Sequence, residues 1–293
     1  MKKLGLCLVV FFALFSPCAN AGDLQDIKAR GEIRHLGFPY ANFVTGFGDG
    51  FDVEIIQGFA KYLGVKYVFV SSQHSTLVRD LLGKDIVRKK DGGVLEGNYP
   101  VKGDLISVGF AIFSWREPFF LYSAPTFPSQ VFLIARANAP LAPIKGSDNL
   151  NKDIVETKAL IGKSSLMVVK NTKLDPRNYD LENKVANFHR LDEDTNSRSI
   201  ARSLVDGKAD LTLLDAPDVI LDLHDWAGKI KVLGPISQEQ ALATAFSPSS
   251  PELRDAFNNY LFQIKANGMY DLLVDKYFLG IRSFFPEFFL KKD

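Results

Sequence analysis

The feature that most constrains the fold is an unbroken alternation of strand and helix patterns between Glu32 and Phe113. Glu32 to Gly37 reads as a first strand. After turn glycines at 46, 48 and 50, Phe51 to Leu63 places Val53, Ile56, Phe59, Ala60 and Leu63 at helical spacing. Gly64 stops that helix, Val65 to Val70 reads as a second strand, and Ser75 to Leu82 as a second helix. Lys84 to Lys102 is expected to be a polar, glycine-bearing loop, and the apolar run Leu105 to Phe113 a third, buried strand. This order builds a parallel sheet with helices on its faces, and such sheets place their chemistry beyond the carboxyl ends of the strands.

Arg116 stands just past the third strand, between Trp115 and Glu117. A guanidinium keeps its charge at any accessible pH and demands an anion, either a rim carboxylate such as Glu117 or the carboxylate of a ligand. A second run of the same form, Gly207 to Asp215 followed by Ala216 and Pro217, ends on a carboxylate. Asp215 can cap a helix beginning near Asp218. Facing Arg116 across a cleft, it would complete a positive and a negative clamp of the kind a zwitterionic amino acid needs.

Phe127 to Arg136 reads as an apolar strand, and the proline-rich Ala137 to Pro143 marks a change of composition. A second lobe is expected beyond it, with a strand at Ala159 to Ile161, a turn at Gly162 to Ser165 and then a helix. A further helix at Thr195 to Asp206 and the strand ending at Asp215 follow, with a helix at Pro217 to Leu223 and a strand at Lys229 to Leu233. From about Gln238 the chain returns, and Pro251 to Tyr277 reads as two amphipathic helices broken at Gly268. The expected division is 1–21 as a signal segment, 22–133 as the first part of lobe one, 134–238 as lobe two, and 239–293 as the return to lobe one.

Lys2 and Lys3, the apolar stretch Leu4 to Phe15 and the small residues Ala19 and Ala21 make up a secretory signal peptide, so the mature chain is expected to start near Gly22 and to reside in the periplasm. Both cysteines, Cys7 and Cys18, fall inside that segment, which leaves no disulfide, thiolate nucleophile or cysteine metal site beyond it. A lipid-anchored reading through Cys18 meets a proline, Pro17, where a small residue is wanted. The chain has 35 basic and 34 acidic side chains; without Lys2 and Lys3 the balance is 33 to 34, with no footprint for nucleic acid or an anionic membrane. His35, His74, His189 and His224 lack metal-ligand spacing. Gly162 to Ser165 resembles a phosphate loop, but Thr157 stands where that motif needs glycine. No metal or cofactor is expected.

Several short pieces, in order along the mature chain, carry a resemblance. They are Ile27 to Arg34, Gly50 to Ile55 with Phe59 to Val65, Gly103-Asp104, Trp115-Arg116 with Tyr122 to Pro125, Gly207 to Asp210 with Leu214-Asp215, and Asn267 to Tyr270 with Lys276 to Phe278. On these the chain resembles the family 3 extracellular solute-binding proteins, the periplasmic receptors of polar amino-acid ABC importers. The resemblance implies an α/β, two-lobe, type II periplasmic-binding-protein fold, each lobe a mixed, mostly parallel sheet with flanking helices, joined by two hinge strands. It implies that Arg116 binds a ligand α-carboxylate, that Asp215 takes the ammonium, and that Tyr40 packs on the ligand. It implies further that Ser164 and Ser165 hold the carboxylate from lobe two, aided by the positive end of a following helix. Where relatives place hydroxyls, Gly109, Ala111 and Phe113 leave only backbone groups.

The expected function is therefore that of a monomeric, non-enzymatic receptor that closes by hinge motion on a small carboxylate-bearing ligand, an amino acid or a relative, and presents it to ABC permease subunits. Two alternatives are a periplasmic sensor or accessory module without a transporter, and a cyclohexadienyl dehydratase-like enzyme. The enzyme needs an acid or base over the reacting centre, and no Glu or His is singled out by its context.

Overall fold

The computed structural model describes residues 21–89 and 92–290. The expected signal peptide thus lies, up to Asn20, outside the described residues. Helix α1 (Leu24–Arg30), boxed at its start by Asp23 and Asp26, leads into β1 (Glu32–Gly37). Helix α2 (Phe51–Leu63) follows, stopped by Gly64 at φ 72°, and then come β2 (Lys66–Ser71) and α3 (Leu77–Leu82). Gly50 starts α2 at φ 140°, where a Cβ would lie 2.3 Å from the Phe43 carbonyl oxygen, so no other residue fits that corner.

The stretch expected to be a loop is instead an antiparallel hairpin of β3 (Asp85–Lys89) and β4 (Gly92–Glu96). The expected third strand shortens to β5 (Leu105–Ile106), because Gly109 adopts φ 58° and turns the chain along the cleft. Strand β6 (Leu121–Tyr122) follows, then β7 (Phe127–Ser129) and β8 (Val131–Arg136), which divide the expected strand 127–136 at Gln130.

Through β7 the chain passes from the first sheet, which it leaves at β6, to the second, which it enters at β8. Strand β8 lies wholly in the second sheet, so the change of lobe precedes both the proline-rich stretch and the 133/134 boundary expected from sequence. Residues 150–159 form helix α4 (Leu150–Ala159), capped by Asn149, and the strand expected at 159–161 appears later as β9 (Ser165–Val169). Strand β10 (Asn187–Leu191), α5 (Ser197–Val205), β11 (Leu211–Asp215), α6 (Ala216–Asp225) and β12 (Ile230–Pro235) complete lobe two. The return runs through β13 (Gln240–Leu242) and β14 (Ala245–Phe246) to α7 (Pro251–Ala266) and α8 (Met269–Tyr277), with Gly268 at φ 81° between the last two.

The first sheet has the order β2-β1-β5-β14-β6 and the second β10-β9-β11-β8-β12. In each, three strands in a row run parallel and the last two pairings are antiparallel. Strands β7 and β13 pair with each other between the sheets, and Gln130 and Val131 bond to Ser237, so the two crossings are tied together. The first core is built on aromatic rings. Phe127 sits 5.2 Å from Phe43, 5.2 Å from Phe51 and 4.6 Å from Phe278, centroid to centroid. The phenylalanine-rich end joins this core, with Phe285 buried and Phe288 and Phe289 packed against it, while Phe284 is exposed.

Candidate functional site

The carboxyl ends of the parallel strands converge from both lobes on a cavity of about 280 Å³. Phe38 and Tyr40 follow β1, Ser72 and His74 follow β2, and Gly109 to Ala111 and Arg116 follow β5. From lobe two come Thr172 and Lys173 after β9, and Asp218 in the first turn of α6. A second cavity of about 410 Å³ adjoins it and shares His74, Arg116, Thr172 and Glu193.

Arg116 is 7% exposed and forms no ion pair with a carboxylate among the described residues. Among the described residues its guanidinium makes one hydrogen bond, a long one of 3.5 Å from Nη2 to the Asn171 carbonyl across the cleft. Its guanidinium lies over the rings of Trp115, Phe110 and Phe113 at 4.8, 5.1 and 5.5 Å. Burial pulls its pKa below the ordinary guanidinium value; Tyr122 opposes this and the nearby Arg88 cation adds to it. Ring faces soften the desolvation of a cation but do not replace an anion, so the group remains a strong anion site.

Asp215, at the end of β11, is fully buried and does not line the cavity. Its carboxylate is in ion contact with Lys173, accepts the Tyr40 hydroxyl at 2.5 Å and lies 3.4 Å from the Ser129 hydroxyl. Burial pushes its carboxyl up, but the Lys173 ammonium and the bonds from Asp218, Lys173 and Tyr40 outweigh that and hold it below the ordinary 3.8. Asp218 goes the other way: burial, then the Asp215 charge, raise its pKa well above the ordinary carboxylate range. The negative clamp expected from sequence is therefore closed by the chain's own amine.

Lys173 was not singled out by sequence reasoning. It is held by a rigid turn: Asn171 at φ 57° donates its N–H to Asp175 at 2.7 Å, and Arg177 braces both Asp175 oxygens and the Asn171 side chain. The signals in the sequence that could have marked this loop are Asn171 and the Asp175-Pro176 pair. Lys173 also lies 4.7 Å from the centre of the Tyr40 ring, and Tyr40 stacks on Phe43 at 5.7 Å.

Ser164 and Ser165 are elsewhere. Ser164 precedes β9 and Ser165 opens it, at the end of lobe two remote from the cavity, where the Ser165 N–H and hydroxyl donate to Asp210 at 2.9 and 2.8 Å. The reason is the helix α4, which takes up residues 150–159 and moves the strand downstream, so the turn that faces the cleft is 171–173. No helix follows Ser165 directly. Gly109 and Ala111 do line the cavity, but the Gly109 N–H is already donated to Asp52 at 2.7 Å. The lobes also touch at Ser75, whose N–H and hydroxyl donate to Asp194 at 2.9 and 2.6 Å, and at Arg88, which donates to Asn178 at 2.7 Å.

No family model matches the chain. One curated relative is the membrane-bound lytic murein transglycosylase F of Serratia proteamaculans, 25% identical over 272 residues, covering 90% of this chain and 49% of that protein. The chain spans about half the length of the curated relatives it matches. Among solved structures, a mutant of ArgBP from T. maritima is similar with a TM-score of 0.68 and 20% identity, over 87% of this chain and 98% of the other. The ancestral amino acid-binding protein AncCDT-1, described as a precursor of cyclohexadienyl dehydratase, is similar with a TM-score of 0.64 and 22% identity, again over 87% and 98%.

Proposed function

Since the chain has the two-lobed type II periplasmic-binding-protein fold, we propose that it is a periplasmic solute-binding protein that closes on a small carboxylate-bearing ligand and delivers it, as a monomer, to an ABC importer. The observation that carries this reading is Arg116, a buried guanidinium on a cavity wall with no carboxylate of the described residues to neutralise it. A buried charge without a partner is costly, and a ligand carboxylate both removes the cost and seals the cleft. The contacts across the cleft at Tyr40, Ser75 and Arg88 support a closed form reached by movement about the paired crossings. The solved relatives named as amino-acid-binding proteins support the same class of function.

The test begins with mass spectrometry of small molecules released from the purified, denatured protein, followed by calorimetry of the identified compound. Truncating one partner of a buried charged pair costs about 2–5 kcal/mol, so Arg116→Ala should weaken binding well over tenfold while the fold is retained. Unchanged affinity in that variant removes the carboxylate clamp and the reading with it. A transporter-subunit pulldown that fails repeatedly favours a sensor module over an importer component.

One arrangement favours a catalytic reading: Asp218 lines the cavity, and its burial beside the Asp215 charge raises its carboxyl pKa, the direction a general acid needs. Turnover of prephenate or arogenate, abolished by Asp218→Asn, would establish it; the receptor reading expects no turnover of either.

A further inference from the structure

The subsite that would hold a ligand ammonium is filled from within. Lys173 places its amine on the Asp215 carboxylate and against the face of Tyr40, while Tyr40 bonds the same carboxylate. The Lys173 side chain is 12% exposed and that of Asp215 fully buried, so this pair belongs to the interior of the wall. A ligand amine would have to evict Lys173 into a cavity that already holds the Arg116 cation, leaving two positive charges where one stood.

On the other side of Arg116 the structure is basic again. Arg88 and Arg116 flank the same indole, at 5.0 and 4.8 Å from the Trp115 ring, and the Trp115 Nε1 is buried with no hydrogen-bond partner. Arg88 lines the second cavity, bonds only to the neutral Asn178 and forms no ion pair with a carboxylate among the described residues. The other two arginines of that cavity, Arg79 and Arg177, are neutralised by Asp85 and Asp175. Two guanidiniums without an ion-pair partner among the described residues repel, only partly offset at Arg88 by the Asp175 charge, and a ligand with a single negative group relieves only part of that. Glu193 also lines both cavities and limits the excess positive charge on that wall.

We propose that the cleft selects a small organic di-acid that carries no amino group, with one carboxylate on Arg116 and the other reaching toward Arg88 and the Trp115 N–H. Lys173 thereby serves as a built-in substitute for the ligand ammonium. This inference rests on the receptor reading above and sharpens its ligand class.

The test compares skeletons that differ only in the amine: succinate with L-aspartate, and glutarate with L-glutamate, titrated by calorimetry into the full-length protein freed of co-purified ligand by unfolding and refolding. At least one di-acid should bind, and its amino counterpart should bind more than tenfold more weakly. Lys173→Ala opens the Asp215 subsite and should reverse or abolish that preference; Lys173→Arg, which restores the cation, should keep it. Far-UV circular dichroism of each variant confirms the fold. An amino acid bound more tightly than its di-acid by the natural chain, and lost in Arg116→Ala, overturns this inference and leaves the receptor reading intact. Binding of neither set overturns this inference; if the released-ligand experiment also yields no carboxylate, the receptor reading falls as well. A di-acid preference unmoved by Lys173→Ala overturns the role of Lys173.

Discussion

Replacement of Asp52 by asparagine should stabilise the protein at neutral and alkaline pH, and by an amount that can be worked out. Asp52 is the second residue of α2, 2% exposed; Oδ2 accepts the Gly109 N–H at 2.7 Å and Oδ1 has no hydrogen-bond partner. Burial pushes its carboxyl from 3.8 to about 7, although the Gly109 N–H, Ser107 and the Lys173 charge pull it down. Below about pH 4 both folded and unfolded chains carry the proton, and the group contributes nothing to the pH dependence. Between there and pH 7 the unfolded chain has released a proton that the folded chain keeps, so stability falls as pH rises; above 7 the folded chain bears the full burden of a buried charge. At about 1.4 kcal/mol per pH unit, this amounts to roughly 4 kcal/mol against folding.

Asparagine keeps an acceptor for Gly109 but brings amide hydrogens to the crowded Oδ1 side, so we expect a net gain of about 2 kcal/mol at pH 8 that shrinks toward zero near pH 4. Urea denaturation of Asp52→Asn and the natural chain, followed by circular dichroism at pH 4, 6 and 8, measures it. The difference between the two chains is the quantity to read, because His35 and His74, lowered by burial to about 4, impose the opposite slope between there and 6.5 on both. A gain that does not vary with pH, or a variant less stable than the natural chain at pH 8, refutes the reasoning.

Two further outcomes follow, one from a buried network outside the cavity and one from a contact on the cavity rim, where Asp194 lines the first cavity and Ser75 the second. Asp104 is fully buried and accepts from the Arg34 N–H and Nη2 at 2.8 and 2.7 Å and from Arg30 at 2.5 Å, so Asp104→Ala should cost about 3–5 kcal/mol and lower Tm by roughly 10 °C. Ligand affinity, read on the folded fraction, should stay unchanged; a loss of affinity would mean this network also sets the cleft. Asp194→Ala removes the bonds from Ser75 that span the lobes at the surface, and should weaken ligand binding by about fivefold, corresponding to about 1 kcal/mol. Small-angle scattering should show a larger radius of gyration, and an unchanged profile with unchanged affinity would deny this contact any part in closure.

Residues with strong periodicity or hard stops were legible in the chain. The bounds of α2 coincide with the expectation, 51–63, because its apolar spacing is regular and Gly64 ends it in the left-handed region. The break at Gly268 follows from an equally local signal. The hairpin of β3 and β4 was not legible, since its strands are only partly buried and rich in charge and glycine, which imitates a loop. Helix α4 was missed for a related reason: it buries only Ile154, Asp153 and Thr157, too narrow a stripe to stand out, and its displacement of β9 carried the expected serine turn away from the cleft.

The sequence by itself determined that this chain alternates strands and helices, that its strand ends carry Arg116 and Asp215, and that no cysteine follows Cys18. These are properties of spacing and residue type, and they survive any arrangement of the parts. Only the tertiary structure decided what each charge meets. Arg116 is left facing a cavity, whereas Asp215, 42 residues beyond Lys173 in the chain, receives that lysine because β9 and β11 are paired in parallel and release their carboxyl ends at the same rim. Electrostatic partnership falls off with distance in space and not along the chain, so a lysine in an unremarkable turn could settle the chemistry of the cleft without leaving a mark in the pattern of residues.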